Sequence, residues 1–219
     1  MSVPVTDEML EKAVDIFARS FIDYPYPGGV IPDVERRKKA LSIMYSEILK
    51  DMKTYADIVA DSSECKGVAV WCKMGDLKGN FHIGRHIRVL LSCMKIREIV
   101  TLIKRTIQIE GERLKQNLPD DTLYMCYLGV APECQGQGIA SKLIREKLSE
   151  CDEIGITAYL ETNTEHNVKI YSKYGFVEIN KVVDKDGAFT TWYMMRKPAE
   201  KSMIAPENMH KHACPGSQE

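Results

Sequence analysis

Apolar residues recur at helical spacing through the first fifty positions of the chain. A helix over 7–21 is predicted because its apolar residues share one face and Thr6 can cap its start. The prolines and glycines of 24–29 predict a loop, and Asp33 can then cap a second helix.

The pattern changes twice in the middle of the chain. Residues 54–60 and 66–73 are β-branched and apolar on either side of a polar turn, which predicts an antiparallel hairpin. Helical spacing returns over 80–118 and predicts a helical elaboration. Lys and Arg predominate between His82 and Arg105; this indicates either a site for an anionic partner or, as we favour, the solvated face of a helix.

From residue 123 onward, strands and helices are predicted to alternate. Residues 156–162 are almost continuously apolar, as in a buried central strand. An Asp-Gly turn predicts a final hairpin, and the polar stretch 199–219 predicts a mobile tail. The predicted elements are a strand at 123–130, a helix at 141–151, a strand at 156–162, a helix at 166–174, and strands at 176–183 and 189–196.

Composition narrows the class of protein. The 219 residues are 44% hydrophobic and 28% charged, which is typical of a globular chain. The length is compatible with one large domain, or with one domain of about 150 residues that carries an insertion and a tail. A formal charge of -1 argues against a nucleic-acid partner. Seven cysteines without C-x-x-C spacing predict reduced thiols, and His210, His212 and Cys214 in the predicted tail do not suggest a metal site. With no signal peptide and no long apolar run, a cytoplasmic protein without membrane contact is expected.

A glycine-rich loop carries the clearest chemical signal. Gly136 and Gly138 lie between a predicted buried strand and a predicted helix. Glycines allow backbone N–H groups to converge, and a helix N-terminus favours negative charge, so the loop predicts a ligand with phosphate or pyrophosphate.

Three classes of phosphate ligand share this logic. A P-loop is excluded because Ile139, and not Lys, follows Gly138. A dinucleotide fingerprint is a near miss: Glu161 falls where its ribose-binding acid would, but Ser141 replaces the third glycine and the hairpins argue against a doubly wound sheet.

The third class fits best. Residues 135–140 match the Q/R-x-x-G-x-G/A motif, and the sequence resembles the GNAT acetyltransferases. Residues 128–132 resemble that family's fourth strand, 159–162 its fifth, and 167–176 the helix and turn that follow. The resemblance implies an acyl-CoA N-acyltransferase fold of the α/β (α+β) class, with a mixed, mostly antiparallel sheet flanked by helices.

Further segments resemble the puromycin N-acetyltransferase-like branch of the family, namely 21–25, 68–71 and 191–198. Two departures are visible. The family's first strand is reduced here to residues 1–5 and contains Pro4, and Thr164 occupies a position where many members have Asn. The resemblance implies a single domain over 1–198.

The resemblance implies that acetyl-CoA is the co-substrate and that it lies between the fourth and fifth strands. Backbone groups of the fourth strand would bind the pantetheine arm, the loop would bind the pyrophosphate, and an Asn would supply a cofactor-side amide. The implied cofactor-binding residues are Leu128, Gly129, Val130, Gln135, Gly136, Gln137, Gly138, Ile139, Ala140, Ser141, Asn163, Asn167 and Tyr171.

Two residues are catalytic candidates, the first of them through the same resemblance. Tyr171 occupies the position of a general acid that protonates the leaving thiolate, and it could instead be a core tyrosine. Glu161 is a candidate general base, directly or through water; a structural ion pair is the competing interpretation.

An aromatic wall is expected to bind the acceptor. Tyr24 and Tyr26 in the first loop, Trp71 on the third strand and Trp192 on the last are its candidates, although core packing explains each of them equally well. The predicted activity is transfer of acetyl to a primary amine of a small molecule by direct attack in a ternary complex, in a monomer or homodimer. A protein or peptide N-acetyltransferase and a non-catalytic CoA-binding sensor are the alternatives.

Overall fold

A computed structural model describes residues 1–26, 28–80 and 91–199. The predicted tail lies outside these residues except for Ala199, and so does part of the predicted helical elaboration. The strands are β1 (Val3–Pro4), β2 (Asp57–Ala60), β3 (Gly67–Lys73), β4 (Leu123–Val130), β5 (Ala158–Thr162), β6 (Val177–Val183) and β7 (Thr190–Arg196). The helices are α1 (Asp7–Ser20), α2 (Val34–Met52), α3 (Met74–Asn80), α4 (Ile96–Lys115), α5 (Ile139–Ile154) and α6 (Glu165–Ser172).

The strands form one sheet in the order β1-β2-β3-β4-β5-β7-β6. All neighbours are antiparallel except β4 and β5, which are parallel and joined by the crossover helix α5. The predicted mixed, mostly antiparallel sheet flanked by helices is therefore confirmed. The short first strand is also confirmed, and Pro4 is tolerated there because β1 lies at the edge of the sheet.

Local sequence explains where the helices begin and end. The Thr6 hydroxyl accepts a hydrogen bond from the Met9 N–H, and the Asp33 carboxylate accepts one from Arg36 N–H at 2.8 Å, so both predicted caps are confirmed. Helix α5 begins after Gly138 and ends at Gly155, and both glycines have left-handed backbone.

The sheet separates two cores. On one face, α1 and α2 cover side chains such as Val68, Val70 and Cys72 of β3. On the other face, α5 buries Leu143 and Ile144 against the alternate residues of the same strand, Ala69 and Trp71. Burying an aliphatic side chain of this kind contributes about 1.5–3 kcal/mol, so α5 is firmly held and can position the loop before it.

Helix α4 lies within the segment predicted as a helical elaboration. It begins at Ile96, where the Glu98 carboxylate accepts the N–H of Lys95 at 2.8 Å. Apolar spacing does not indicate this start, because it depends on polar capping. Within the part of the chain that the structure describes, no helix has the length and apolarity needed to cross a membrane.

Candidate functional site

Strands β4 and β5 separate after a short parallel contact. They pair only from Leu123 with Ala158 to Met125 with Leu160. Beyond that point β4 keeps β3 as its neighbour, and the register shifts between Val70 and Trp71 so that Cys126 is an extra residue in β4. The two strands therefore form a V that opens towards the end of β4.

Alternation along β4 decides which main-chain groups face the V. The Ala131 N–H donates to the Lys66 carbonyl at 2.8 Å, so alternate residues face β3 and the intervening Leu128 and Val130 face away from it. The Val130 carbonyl accepts hydrogen bonds from the Ser20 hydroxyl at 3.1 Å and the Gln135 amide at 3.3 Å. The main-chain groups of Leu128 and the Val130 N–H consequently point into the V.

Gly129 supports this strand by close packing. A Cβ at Gly129 would lie 2.9 Å from Cδ1 of Phe17, so only glycine lets α1 approach β4 this closely. Gly129 thus positions the strand next to the V.

The loop between β4 and α5 forms a cradle of backbone donors. Gly136 and Gly138 have φ values of 76° and 80°, and a Cβ at either would meet nothing within 4 Å. Among the described residues, the N–H groups from Gly136 to Ser141 donate to no acceptor. The residues present therefore fit a phosphate at a helix N-terminus.

Side chains around the cradle contribute less than its backbone. The Gln137 amide donates to the Glu133 carbonyl at 3.4 Å, which stabilises the loop itself. The Ser141 hydroxyl accepts a hydrogen bond from Arg145 Nε at 3.2 Å, so Arg145 brings a positive charge to the first turn of α5. Sequence reasoning missed Arg145, although its i,i+4 spacing from Ser141 was available as a signal.

A cavity of about 300 Å³ lies beside the V, between α2, α4 and the sheet. This is large enough for a small ligand. Aromatic and aliphatic side chains line most of it, with four acidic side chains and one basic one among the described lining residues. The charged residues are Glu47, Asp51, Glu110, Glu161 and Arg113.

Glu161 is fully engaged in this cavity. Its two oxygens accept Arg113 Nε at 2.6 Å and Arg113 Nη2 at 2.7 Å. They also accept the hydroxyls of Tyr159 at 2.8 Å and Tyr124 at 3.2 Å. With four donors on its two oxygens, the Glu161 carboxylate has no acceptor site left for a substrate, and these contacts are those of a structural ion pair.

Glu110 is the second carboxylate on the same arginine. Its Oε1 accepts Arg113 Nη1 at 2.6 Å, whereas no described residue donates to its other oxygen. Burial raises the pKa of Glu110, and the negative charge of Glu161 adds to that rise while Arg113 opposes it. The i,i+3 spacing of Glu110 and Arg113 on α4 was a visible signal that sequence reasoning did not use.

Tyr171 of α6 lines the cavity at the V. Its ring packs edge-on against Phe176 with centroids 6.2 Å apart, and its hydroxyl makes no hydrogen bond within the described residues. Burial raises the pKa of Tyr171, so the hydroxyl keeps its proton and can donate it.

Tyr24 joins the first loop to the end of β5. Its hydroxyl is 2.7 Å from the Thr162 hydroxyl and accepts the Asn163 N–H at 2.8 Å. Asn167 approaches the same hydroxyl at 3.5 Å and lines the cavity. The Asn163 side chain instead donates to the Thr191 hydroxyl at 2.8 Å, which ties it to β7.

Of the four aromatic residues expected to bind the acceptor, Tyr24 and Tyr26 line the cavity and Trp71 and Trp192 do not. Tyr26 lines the cavity, stacks on Phe189 and hydrogen-bonds Thr106; burial raises the pKa of Tyr26 to about 12. Trp71 is fully buried in the core beneath α5. Trp192 packs in the same core as Trp71, on the face of the sheet opposite the cavity. Side chains alternate between the two faces along β7, and Thr191 faces the cavity.

No group of three or more His, Cys, Asp or Glu side chains suited to a metal ion occurs within residues 1–26, 28–80 and 91–199. The histidines and cysteine predicted to lie in the tail are outside these residues.

Comparison with known proteins supports the GNAT interpretation. Residues 108–197 match the family model of the acetyltransferase (GNAT) domain. An uncharacterized N-acetyltransferase of Schizosaccharomyces pombe is 41% identical over 58 residues, which cover 26% of this chain and only 24% of that protein. These matches support the GNAT acetyltransferase family; the puromycin N-acetyltransferase-like branch is not confirmed.

Solved structures agree on the fold. A histone acetyltransferase HPA2 and related acetyltransferase from Corynebacterium glutamicum aligns over 92% of this chain and 98% of its own, with a TM-score of 0.65 and 17% identity. Arylalkylamine N-acetyltransferase 2 of Aedes aegypti aligns over 90% and 98%, with a TM-score of 0.56 and 16% identity. At these identities the likeness concerns the fold.

Proposed function

We propose that this protein transfers the acetyl group of acetyl-CoA to a primary amine of a small molecule, by direct attack while both substrates are bound. The observation that carries the proposal is the V between β4 and β5. It connects a cradle of unpaired backbone N–H groups to a cavity that contains Tyr171. The match of residues 108–197 to the GNAT domain supports the same reaction class.

The cofactor half of the site would be bound mainly by backbone. Residues Gly136 to Ser141 offer N–H groups to the pyrophosphate, and Arg145 adds a nearby positive charge. Leu128 and Val130 offer main-chain groups to the pantetheine arm, in the manner of an added strand. Bound in this way, acetyl-CoA supplies an activated acetyl group as a thioester.

Tyr171 would protonate the leaving thiolate. A thiol has a pKa of about 8.5 and tyrosine one of about 10, so a buried, protonated tyrosine is a suitable donor to a sulfur anion. Its hydroxyl lines the cavity and has no competing partner among the described residues. Asn167, one turn earlier on α6, lines the same region and is the better placed of the two predicted amides.

Direct attack is favoured over an acetyl-enzyme because of the cysteines at the site. Cys126 lines the cavity, but burial raises its pKa well above the ordinary value, and its sulfur lies 3.2 Å from that of Cys72. A buried thiol of this kind is a poor nucleophile. The proposed location remains the cytoplasm, and the proposed assembly a monomer or homodimer.

Thiol release with a panel of amines tests the proposal. Wild-type protein should release CoA from acetyl-CoA only when a small primary amine is present. Thermal stabilisation by acetyl-CoA without any acceptor-dependent release would favour a CoA-binding sensor. Release with peptides alone would favour a peptide N-acetyltransferase.

The variant Tyr171→Phe tests the general acid. Turnover should fall by about 10²–10⁴-fold, while the Kd for acetyl-CoA measured by calorimetry should be unchanged. Tyr174→Phe is the matched control, because Tyr174 is on the adjoining turn and does not line the cavity. Equal turnover in wild type and Tyr171→Phe would remove Tyr171 from the mechanism.

A further inference from the structure

We propose that Glu110 binds the acceptor: its carboxylate receives the ammonium group of an amine with an apolar or aromatic body and takes the proton that the amine must lose. This inference rests on the proposed acetyl transfer and specifies its acceptor half. It replaces Glu161, the base expected from sequence, with a residue on α4.

Glu110 and Glu161 differ in their remaining capacity to accept hydrogen bonds. Glu161 accepts four donors, two of them from Arg113, and has no oxygen left for a substrate. Glu110 accepts Arg113 Nη1 at 2.6 Å through one oxygen only. Among the described residues nothing donates to its second oxygen, although Glu110 lines the cavity. The two carboxylates on one arginine are therefore not equivalent, and only Glu110 can accept a further donor.

The charged side chains of the cavity favour a positively charged ligand. Arg113 is the single basic side chain among the described lining residues, and its guanidinium already bridges both carboxylates. Glu47 is paired with Lys50 at 3.2 Å. Glu110 and Glu161, by contrast, share the one guanidinium of Arg113, so two carboxylates face a single positive charge and this part of the cavity is complementary to a cation. An amine acceptor is mostly an ammonium ion near neutral pH, and it would supply the missing positive charge.

The uncharged side chains of the cavity favour a ligand with an apolar body. The side chains around the charged groups are largely apolar or aromatic, including Tyr26, Leu102, Ile103 and Ile109. Such a surface stabilises the hydrocarbon body of a ligand and leaves polar anchoring to a few groups. A small amine with an apolar body matches both features, whereas a polyanionic acceptor would be repelled.

Burial, Arg113 from the same helix and Glu161 from β5 determine the proton affinity of Glu110. Tyr26 from the first loop and Tyr193 from β7 also interact with its charge, and Tyr124 from β4 contacts Arg113 and Glu161. Burial raises the pKa of the Glu110 carboxyl, which makes its carboxylate a better base than an exposed one. Because the carboxylate is the active form, activity should rise as pH increases through this raised pKa.

Two protons leave the amine nitrogen during the reaction. One ammonium proton passes to Glu110, and the freed nitrogen lone pair forms the bond to the acetyl carbonyl carbon. The C–S bond breaks and the sulfur takes the Tyr171 proton. The second proton lost by the nitrogen restores Tyr171, and Glu110 returns its proton to solvent, so one proton is released per acetylated amine.

The test compares Glu110→Gln with Glu110→Asp and with the control Glu112→Gln. Glu112 is on the same helix and pairs with Lys115, and it does not line the cavity. The probes are acetyl-CoA with 2-phenylethylamine or hexylamine, assayed by thiol release across a pH series, with 2-phenylethanol as a neutral competitive ligand.

For Glu110→Gln we expect kcat/KM for both amines to fall by about 10²–10⁴-fold and the acidic limb of the pH profile to disappear. The Kd for acetyl-CoA and the inhibition constant of 2-phenylethanol should stay at wild-type values. Glu110→Asp should recover part of the activity, and Glu112→Gln all of it. A purely structural role would change the affinity for the neutral ligand as much as that for the amines.

Two results would overturn this inference and leave the proposed function intact. One is a wild-type kcat/KM and pH profile in Glu110→Gln; the other is an equal loss of affinity for the neutral ligand and for the amines. Wild-type activity confined to amines without an apolar body would overturn the acceptor class. If wild-type protein releases thiol with no amine at all, the proposed function fails instead, and the two failures are therefore distinguishable.

Discussion

The cofactor side and the acceptor side of the site are built in different ways. The cofactor side is one contiguous stretch, the end of β4 and the loop into α5, and it presents mainly backbone groups. The acceptor side is a cavity whose side chains come from the first loop, α2, α4, β4, β5 and α6. A short motif can encode the first kind of site, whereas the second depends on how distant segments pack.

Substitutions should have different consequences on the two sides of the site. Positions in the loop tolerate change in the side chain as long as the backbone keeps its path, so glycine conformation matters most there. In the cavity the decisive property is which charges meet, as Arg113, Glu161 and Glu110 do. Variants on the two sides should consequently fail in different assays.

The largest expected effect is the loss of stability in Glu161→Gln. Removing one partner of a buried ion pair costs about 3–5 kcal/mol, because Arg113 would be left without its bidentate partner. Denaturant unfolding followed by tryptophan fluorescence measures this, and Glu112→Gln is the control, with a change of at most about 0.5 kcal/mol. If Glu161→Gln were as stable as wild type but lost turnover, Glu161 would be restored as the base.

The next effect should be confined to the cofactor side. Gly138→Ala places a side chain at φ 80°, a left-handed conformation that costs about 1–2 kcal/mol, so acetyl-CoA should bind roughly 5–30-fold more weakly. Gly155→Ala is a matched control, since Gly155 has φ 78° at the other end of α5 and equally open space. Calorimetry should show weaker binding for Gly138→Ala only; equal weakening in both would mean that the loop has no special role.

The smallest expected effect is on the acceptor side. Tyr24→Phe removes the hydroxyl that joins Thr162 and the Asn163 N–H, at a cost of about 1 kcal/mol. The KM for the amine should rise about fivefold while the Kd for acetyl-CoA is unchanged, as steady-state kinetics and calorimetry can measure. A change in acetyl-CoA affinity alone would place Tyr24 on the cofactor side of the comparison.

Much of the fold could be predicted because it depends on local patterns. Strand β4 and the caps Thr6 and Asp33 occur where the sequence predicted them, and other boundaries moved by one to three residues. Apolar spacing predicted a helical elaboration over 80–118 but not that α4 begins at Ile96, because that start depends on the Glu98 side chain, which accepts the Lys95 N–H. Trp71 and Trp192 lie on the face of the sheet opposite the cavity, and the presence of an aromatic residue in a strand does not indicate which face it occupies.

The sequence by itself determined the glycine loop, its place between a buried strand and a helix, and hence a ligand with phosphate. It could do so because backbone conformation at Gly136 and Gly138 is a local property. Only the tertiary structure decided which charges share the cavity. Arg113 is 48 residues from Glu161 along the chain, yet their side chains form a bidentate ion pair. Packing of α4 against the sheet brings these two side chains together. The contact occupies both oxygens of Glu161, the predicted base, and leaves one oxygen of Glu110 without a donor among the described residues.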